Sequence, residues 1–385
     1  MPAGTVRTAL ITTVAALVSG VLVAGAAAHP TGGGGGGDRH GATQRALGQA
    51  VRDGVPGAVA QARDRAGSWS GTAGVGELGT GKERTARDRY RIGSITKTFV
   101  ATVLLQLEAE GRLDLDDAVE RWLPGTVRGN GHDGRHITLR QLLNHTSGIY
   151  SYTSDPGYQA KIFGEGFLRH RYDTWTPGQL VGLAMRHRPS FAPGAGWQYS
   201  NTNYTLAGMV IEKVTGRGYE AEIERRILRP LRLRATSVPR TDPRIPAPAS
   251  RAHSPLSPDP AAEIHDVTGL NPSLAGAGGG MISDSGDLQK FLRALLNGRL
   301  LPPGQQDALT TTVPIDPQRP EYRYGLGIQS VRLSCGTEVW GHGGGIHGSQ
   351  SEAFATRDAR HTLALNLNGD WAGDTTAVIE AEFCR

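Results

Sequence analysis

Between Ile95 and Ala109 the chain carries Phe99, Val103, Leu104 and Leu107 at helical spacing, and Gly111 stops the run. An amphipathic helix of this kind must bury its apolar face, so the rest of the chain has to supply a core around it. Ser94 and Lys97 stand at its first turn, three apart and therefore on one face, close enough for their side chains to touch. A hydroxyl there lies among unpaired backbone N–H groups at the positive end of the helix, which favour developing negative charge. Taken alone the pair is a short pattern that arises by chance, and Ser94 is equally an ordinary helix N-cap.

It does not stand alone. Tyr199-Ser200-Asn201 follows, and His342-Gly343-Gly344 comes near the C-terminus. The chain has five lysines, Lys82, Lys97, Lys161, Lys213 and Lys290, and only Lys97 has a serine three before it. No other tyrosine has an asparagine two after it, whereas His132-Asp133-Gly134 also fits the third pattern. A serine hydroxyl is a poor nucleophile at neutral pH and needs a partner to take its proton. Lys97 serves if burial or a second cation lowers its pKa; Tyr199 serves if the nearby lysine pushes its phenol towards phenolate. Sequence leaves both open. Asn201 offers an amide with donors and an acceptor. Gly343, Gly344 and Gly345 suit close approach of a ligand to a strand edge.

In this order the three motifs resemble the DD-peptidase and class C β-lactamase family. The nearest type is the secreted actinobacterial D-alanyl-D-alanine carboxypeptidase, whose third motif begins with His. The likeness includes Tyr90 to Lys97, Leu142 to Gly148, Tyr199 to Tyr204, Tyr324 to Gly327 and Leu333 to Gly336. It implies an α/β/α sandwich, an antiparallel sheet flanked by helices, with an inserted all-α region and the site in the groove between. It implies Ser94 as nucleophile, with Lys97 and Tyr199 sharing the proton. Asn201 is expected to hold the substrate's peptide group. His342 is expected to line the third side and help protonate the leaving group. The oxyanion hole is expected from the backbone N–H groups of Ser94 and Gly345. The implied partners are a peptidoglycan stem peptide or another small acyl donor, with β-lactams as acylating inhibitors.

The chain departs from that pattern where a terminal carboxylate would bind. Gly343 and Gly345 stand where the carboxypeptidases carry a hydroxyl residue and a threonine, and Gln329 stands at the position of their carboxylate-pairing arginine. Each lost charge-assisted hydrogen bond is worth roughly 1.5–3 kcal/mol. Arg323 and Arg332 are the nearby candidates to substitute. Acyl transfer through Ser94 is therefore firmer than the substrate. A D-Ala-D-Ala carboxypeptidase is the first expectation; an esterase, a D-aminopeptidase or a β-lactamase on the same scaffold is the alternative. A non-catalytic module binding cell wall or β-lactams is the alternative of another kind. The order of motifs excludes an α/β-hydrolase lipase, since no G-x-S-x-G accompanies His342 to Gly345. With no H-E-x-x-H and no C-x-x-C, neither metal nor cofactor is expected.

The N-terminus reads as a secretory signal, residues 1–28, with Arg7, an apolar stretch from Leu10 to Ala24 and small residues at Ala26 to Ala28. Residues 29–40, with an unbroken glycine run from Gly32 to Gly37, read as a flexible spacer. The hydrolase domain is expected over 41–385, its α/β part at about 41–111 and 275–385 and its helical insertion at about 112–274. The protein is expected outside the cell, near the wall, as a monomer with no lasting membrane span. The net charge of +5 is scattered without dense basic runs, so nucleic acid is not an expected partner. Cys335 and Cys384, the two cysteines, are expected to pair after export. Helices are predicted at 41–53, 139–144, 205–214, 287–296 and 377–383. Strands are predicted at 58–62, 69–75, 325–333, 338–341, 349–356 and 362–368, with 237–260 a proline-rich surface loop.

Overall fold

Gly57–Asp64 (β1) and Gly67–Glu77 (β2) form a hairpin. In β1 side chains alternate between two faces, as a pleated strand requires. Ala58, Ala60 and Ala62 pack with Leu363, Leu365 and Leu367 beneath one helical layer, while Val59 and Ala364 enter the larger core on the other face. The computed structural model describes residues 39–384. The signal and most of the spacer expectations lie outside those residues. His40, placed in the spacer by its composition, is buried and stacks on Trp69 with ring centroids 4.9 Å apart.

The sheet continues with Lys82–Glu83 (β3), Val313–Pro314 (β4), Tyr322–Tyr324 (β5), Gln329–Arg332 (β6), Glu338–Ile346 (β7), Ser349–Thr356 (β8) and Thr362–Leu367 (β9). Its nine strands run in the order β4-β5-β6-β7-β8-β9-β1-β2-β3, and every neighbouring pair is antiparallel. Strands from the N-terminal and C-terminal parts of the described residues thus share one sheet. Gly41–Arg52 (α1) and Thr375–Phe383 (α5) cover one face through Leu47, Val378, Ile379 and Phe383. Thr96–Ala109 (α2) and Ser285–Leu296 (α4) cover the other, with the rings of Phe99 and Phe291 stacked at 3.7 Å. Asn201–Thr215 (α3) packs on α2 and ends at Gly216, whose φ of 71° is the left-handed conformation of a C-cap. The helical middle holds a satellite core around Tyr152, Tyr158, Phe167 and Leu180.

Three predicted elements differ in ways that shape the site. α2 is not one-sided: Thr96 to Leu105 are all buried, so the helix runs through the core, and only its last turn, at Gln106, Glu108 and Ala109, reaches the surface. β6 is shorter than predicted, because Gly325 to Ile328 turn instead, with Gly327 at φ 71° where a Cβ would lie 2.7 Å from the Cβ of Ala101. β7 is longer and carries the glycine run within it. The 237–260 segment is mostly irregular as predicted, yet Ala252, His253 and Ser254 are buried. β6 pairs only with Glu338 to Gly341, so from His342 onward β7 leaves that edge of the sheet open, and the turn bearing Ser94 lies against it.

Candidate active site

The nucleophile turn is pinned from below. Tyr90 and Arg91 pair with Ser283 and Ile282. The buried Arg91 guanidinium donates to the carbonyls of Pro243 at 2.7 Å and Leu270 at 3.0 Å. Gly93 takes a φ of 49°, and a Cβ there would lie 2.9 Å from the Gly345 nitrogen. Gly93–Ile95 then makes a single 3₁₀ turn into α2. Ser94 makes no side-chain cap; its hydroxyl turns instead to Lys97 Nζ. On the facing strand a Cβ at Gly344 would lie 2.0 Å from the Ile92 carbonyl oxygen and 2.9 Å from the Ser94 nitrogen. The two chain segments touch backbone to backbone, which only glycine permits. A Cβ at Gly345 meets nothing within 4 Å, so the cleft is open there.

Lys97 is fully buried, and its Nζ lies 3.0 Å from Ser94 Oγ, 2.8 Å from Asn201 Oδ1 and 2.6 Å from the Gly278 carbonyl. Burial pushes its pKa well below the ordinary lysine value, and no carboxylate among the described residues pairs with it. A neutral amine has two N–H donors and one lone pair. The Asn201 and Gly278 oxygens have no hydrogen to give and take both donors. The lone pair is left facing the Ser94 hydroxyl, the orientation of a general base.

Tyr199 does not match the phenolate expectation. Lys97 Nζ stands over its ring, 4.7 Å from the centroid, rather than at its oxygen. Burial raises the phenol's pKa above the ordinary range, with the neighbouring Ser94 hydroxyl pulling the other way. The hydroxyl is buried and makes no well-formed hydrogen bond. A neutral phenol so placed is a proton donor in waiting.

His342 also departs from expectation. It is 2% exposed, and both ring nitrogens are engaged: Nδ1 donates to the Gly343 carbonyl and Nε2 accepts from the Tyr324 hydroxyl at 2.7 Å. Burial, reinforced by Lys97 when that amine is protonated, holds its pKa down at about 3, which favours a neutral ring with both nitrogens already engaged rather than a donor to the leaving group. Asn201 has its oxygen on Lys97 and its Nδ2 3.3 Å from Thr153 Oγ1. Of the candidate arginines, Arg323 is committed to Thr312 and Arg332 is exposed at the far end of β6, opposite Glu338. Neither replaces the cation missing at Gln329.

Sequence reasoning missed three groups. Gly278 supplies a carbonyl to Lys97, and its only signal was the run Gly276 to Gly280. His145, at φ 64°, packs 4.3 Å from the Tyr199 ring and accepts from the Ser200 N–H. Tyr324 holds His342.

Residues 42–379 match the Beta-lactamase family model. The chain belongs to that family. A D-stereospecific amidohydrolase from Streptomyces sp. is 67% identical, covering 90% of this chain and 98% of that one, with a TM-score of 0.86. A D-amino acid amidase from Ochrobactrum anthropi SV3 is 29% identical over 89% of this chain and 98% of that one, with a TM-score of 0.75. Among curated proteins, the putative penicillin-binding protein PbpX of Bacillus subtilis is 30% identical over 246 residues, 60% of this chain. The chain spans only part of the length of the curated relatives it matches, 56% in that case. This β-lactamase-family protein is a serine hydrolase with a mixed α/β fold built on a large antiparallel sheet.

Proposed function

We propose that the protein is a D-stereospecific amidohydrolase that acts after export through a Ser94 acyl-enzyme. The observation that carries the mechanism is the buried Lys97 amine, held between Asn201 Oδ1 and the Gly278 carbonyl with Ser94 Oγ as its third neighbour, so that in its neutral form the lone pair is left for the Ser94 proton. Ser94 Oγ attacks the acyl carbonyl and its proton passes to Lys97 Nζ. The oxyanion forms against the backbone N–H groups of Ser94 and Gly345. The proton held on Lys97 returns to the departing amine, and Tyr199, a neutral phenol beside Ser94, can donate a hydrogen bond to that nitrogen. Water then enters and attacks the acyl carbon, its proton passing to Lys97; the Ser94 Oγ–acyl bond breaks, Ser94 takes that proton back and the acid leaves. The likeness to the Streptomyces amidohydrolase supports a D-configured acyl group and an amide leaving group. The carboxypeptidase expectation is the weaker reading, since Gln329 and Gly343 supply neither cation nor hydroxyl for a terminal carboxylate.

The test is turnover of D- and L-phenylalanine amide and of D-Ala-D-Ala by wild type and by Ser94→Ala, with intact-mass analysis after benzylpenicillin. The expected result is a D-over-L preference of at least tenfold, faster amide than dipeptide turnover and no turnover by Ser94→Ala. Faster release of D-alanine from D-Ala-D-Ala would return the carboxypeptidase reading. Turnover surviving in Ser94→Ala would sink both. A lasting penicillin adduct on Ser94 would place the site among β-lactam-reactive ones.

A further inference from the structure

Gly343 faces Glu352 directly across β7 and β8. A Cβ on Gly343 would lie 2.6 Å from Glu352 Oε2 and 3.1 Å from Oε1. The carboxyl group therefore fills the space into which a side chain at position 343 would project. By the family pattern that side chain is the hydroxyl residue serving a substrate's terminal carboxylate. Here the same space holds an acid.

Glu352 is poorly compensated. The Thr375 hydroxyl donates to Oε1 at 3.0 Å, and Oε2 accepts no hydrogen bond from any described residue. No ion pair reaches it among the described residues, and the arginines at 323 and 332 are committed or distant. The residue keeps some exposed surface, but its carboxyl lies deep enough that burial pushes its pKa up to about 7. A second carboxylate brought beside it would meet like charge or force one of the two to take up a proton, with no cation among the described residues to offset either. An amide or ester terminus brings no such penalty, and an amide nitrogen can donate to the free Oε2.

We propose that Glu352 sets the leaving-group specificity of this site, rejecting acyl donors whose leaving group ends in a free carboxylate and admitting those that end in an amide or ester. The proposal rests on the Ser94 amidohydrolase reading and deepens it. It explains why position 343 is glycine: any larger residue would displace the acid. It also explains how the chain dispenses with an arginine at 329, since no anionic terminus is to be held.

A matched pair of substrates tests it, D-Ala-D-Ala and D-Ala-D-Ala amide, which share one peptide bond and differ only at the terminus, with release of D-alanine or D-alanine amide read separately from release of ammonia. Wild type is expected to favour the amide-capped dipeptide at least tenfold in kcat/KM. In Glu352→Gln, nearly isosteric and uncharged, that ratio falls at least tenfold, mainly through the KM of the free acid. Gly343→Ala provides an independent reading should Glu352→Gln fail to fold. Its methyl group must push the flexible carboxyl aside, and the ratio falls in the same direction. A wild type that treats the two dipeptides alike overturns the proposal, as does an unchanged ratio in the folded variants. In either case the amidohydrolase reading stands if D-phenylalanine amide is still cleaved through Ser94. A wild type that cleaves none of these D-substrates overturns that reading, and this one with it.

Discussion

At the scale of single residues, the site is governed by one lysine whose burial lowers its pKa. The unfolded chain holds Lys97 with an ordinary pKa of about 10.4, whereas burial depresses it well below that in the fold. Between the two values the unfolded state binds one more proton than the native state. Stability from this group therefore rises with pH, by about 1.4 kcal/mol per unit inside the window, and is lost as pH falls through the folded value. Lys97→Met removes the linkage. Thermal melts of both proteins across pH 6 to 9 are expected to show wild type gaining on Lys97→Met as pH rises. Parallel melting curves would mean that Lys97 titrates normally. Acylation should share the sign, since only the neutral amine has a lone pair for Ser94, so the wild-type rate falls on the acid side through the same pKa.

At the scale of elements, the decisive contact is between β7 and the turn preceding α2. Gly344 permits it: a Cβ would stand 2.0 Å from the Ile92 carbonyl oxygen, and backbone cannot yield as a side chain can. Gly344→Ala is expected to part strand from turn, costing about 1–3 kcal/mol as overpacking does and abolishing acylation by benzylpenicillin or amide. Gly345→Ala, with nothing within 4 Å of its Cβ, should keep the wild-type melting point. Equal melting points for both variants would refute the close contact. The same segment shows what sequence made legible. Ser94, Lys97, Tyr199 and Asn201 were found because chemistry restricts their types and spacing, and the structure gathers them around Lys97 Nζ. β8 and β9 were found because period-2 alternation against a core is strong. β7 was read as ending at Gly341, since glycine weakens a strand by propensity, and its continuation depends on pairing with β8. α3 was read four residues late because Asn201 to Tyr204 serve the site and the core rather than an apolar stripe. α2 was read as one-sided because periodicity reports apolar positions and not how many layers enclose them.

At the scale of the whole molecule, the first and last helices of the described residues, α1 and α5, pack together behind the sheet, and Cys335 is bonded to Cys384. The bridge joins the turn after β6 to the end of α5, across a sequence separation of 49. Closing such a loop is worth about 4 kcal/mol if the gain is chain entropy in the unfolded state. The turn bearing Cys335 lies beyond Arg332, which pairs with Glu338 at the start of β7, whereas the site uses Gly344 and Gly345 at the other end of that strand. Stability and catalysis are thus served from opposite ends of one strand. The double variant Cys335→Ser, Cys384→Ser should lose up to about 4 kcal/mol by denaturant unfolding while keeping its kcat below the melting transition. Reduction of the wild type should reproduce the loss. A fall in kcat in molecules that are still folded would show that α5 transmits strain along β7 and β8 to the cleft. Thr375, at the head of α5, would be the contact that carries it, through its hydrogen bond to Glu352.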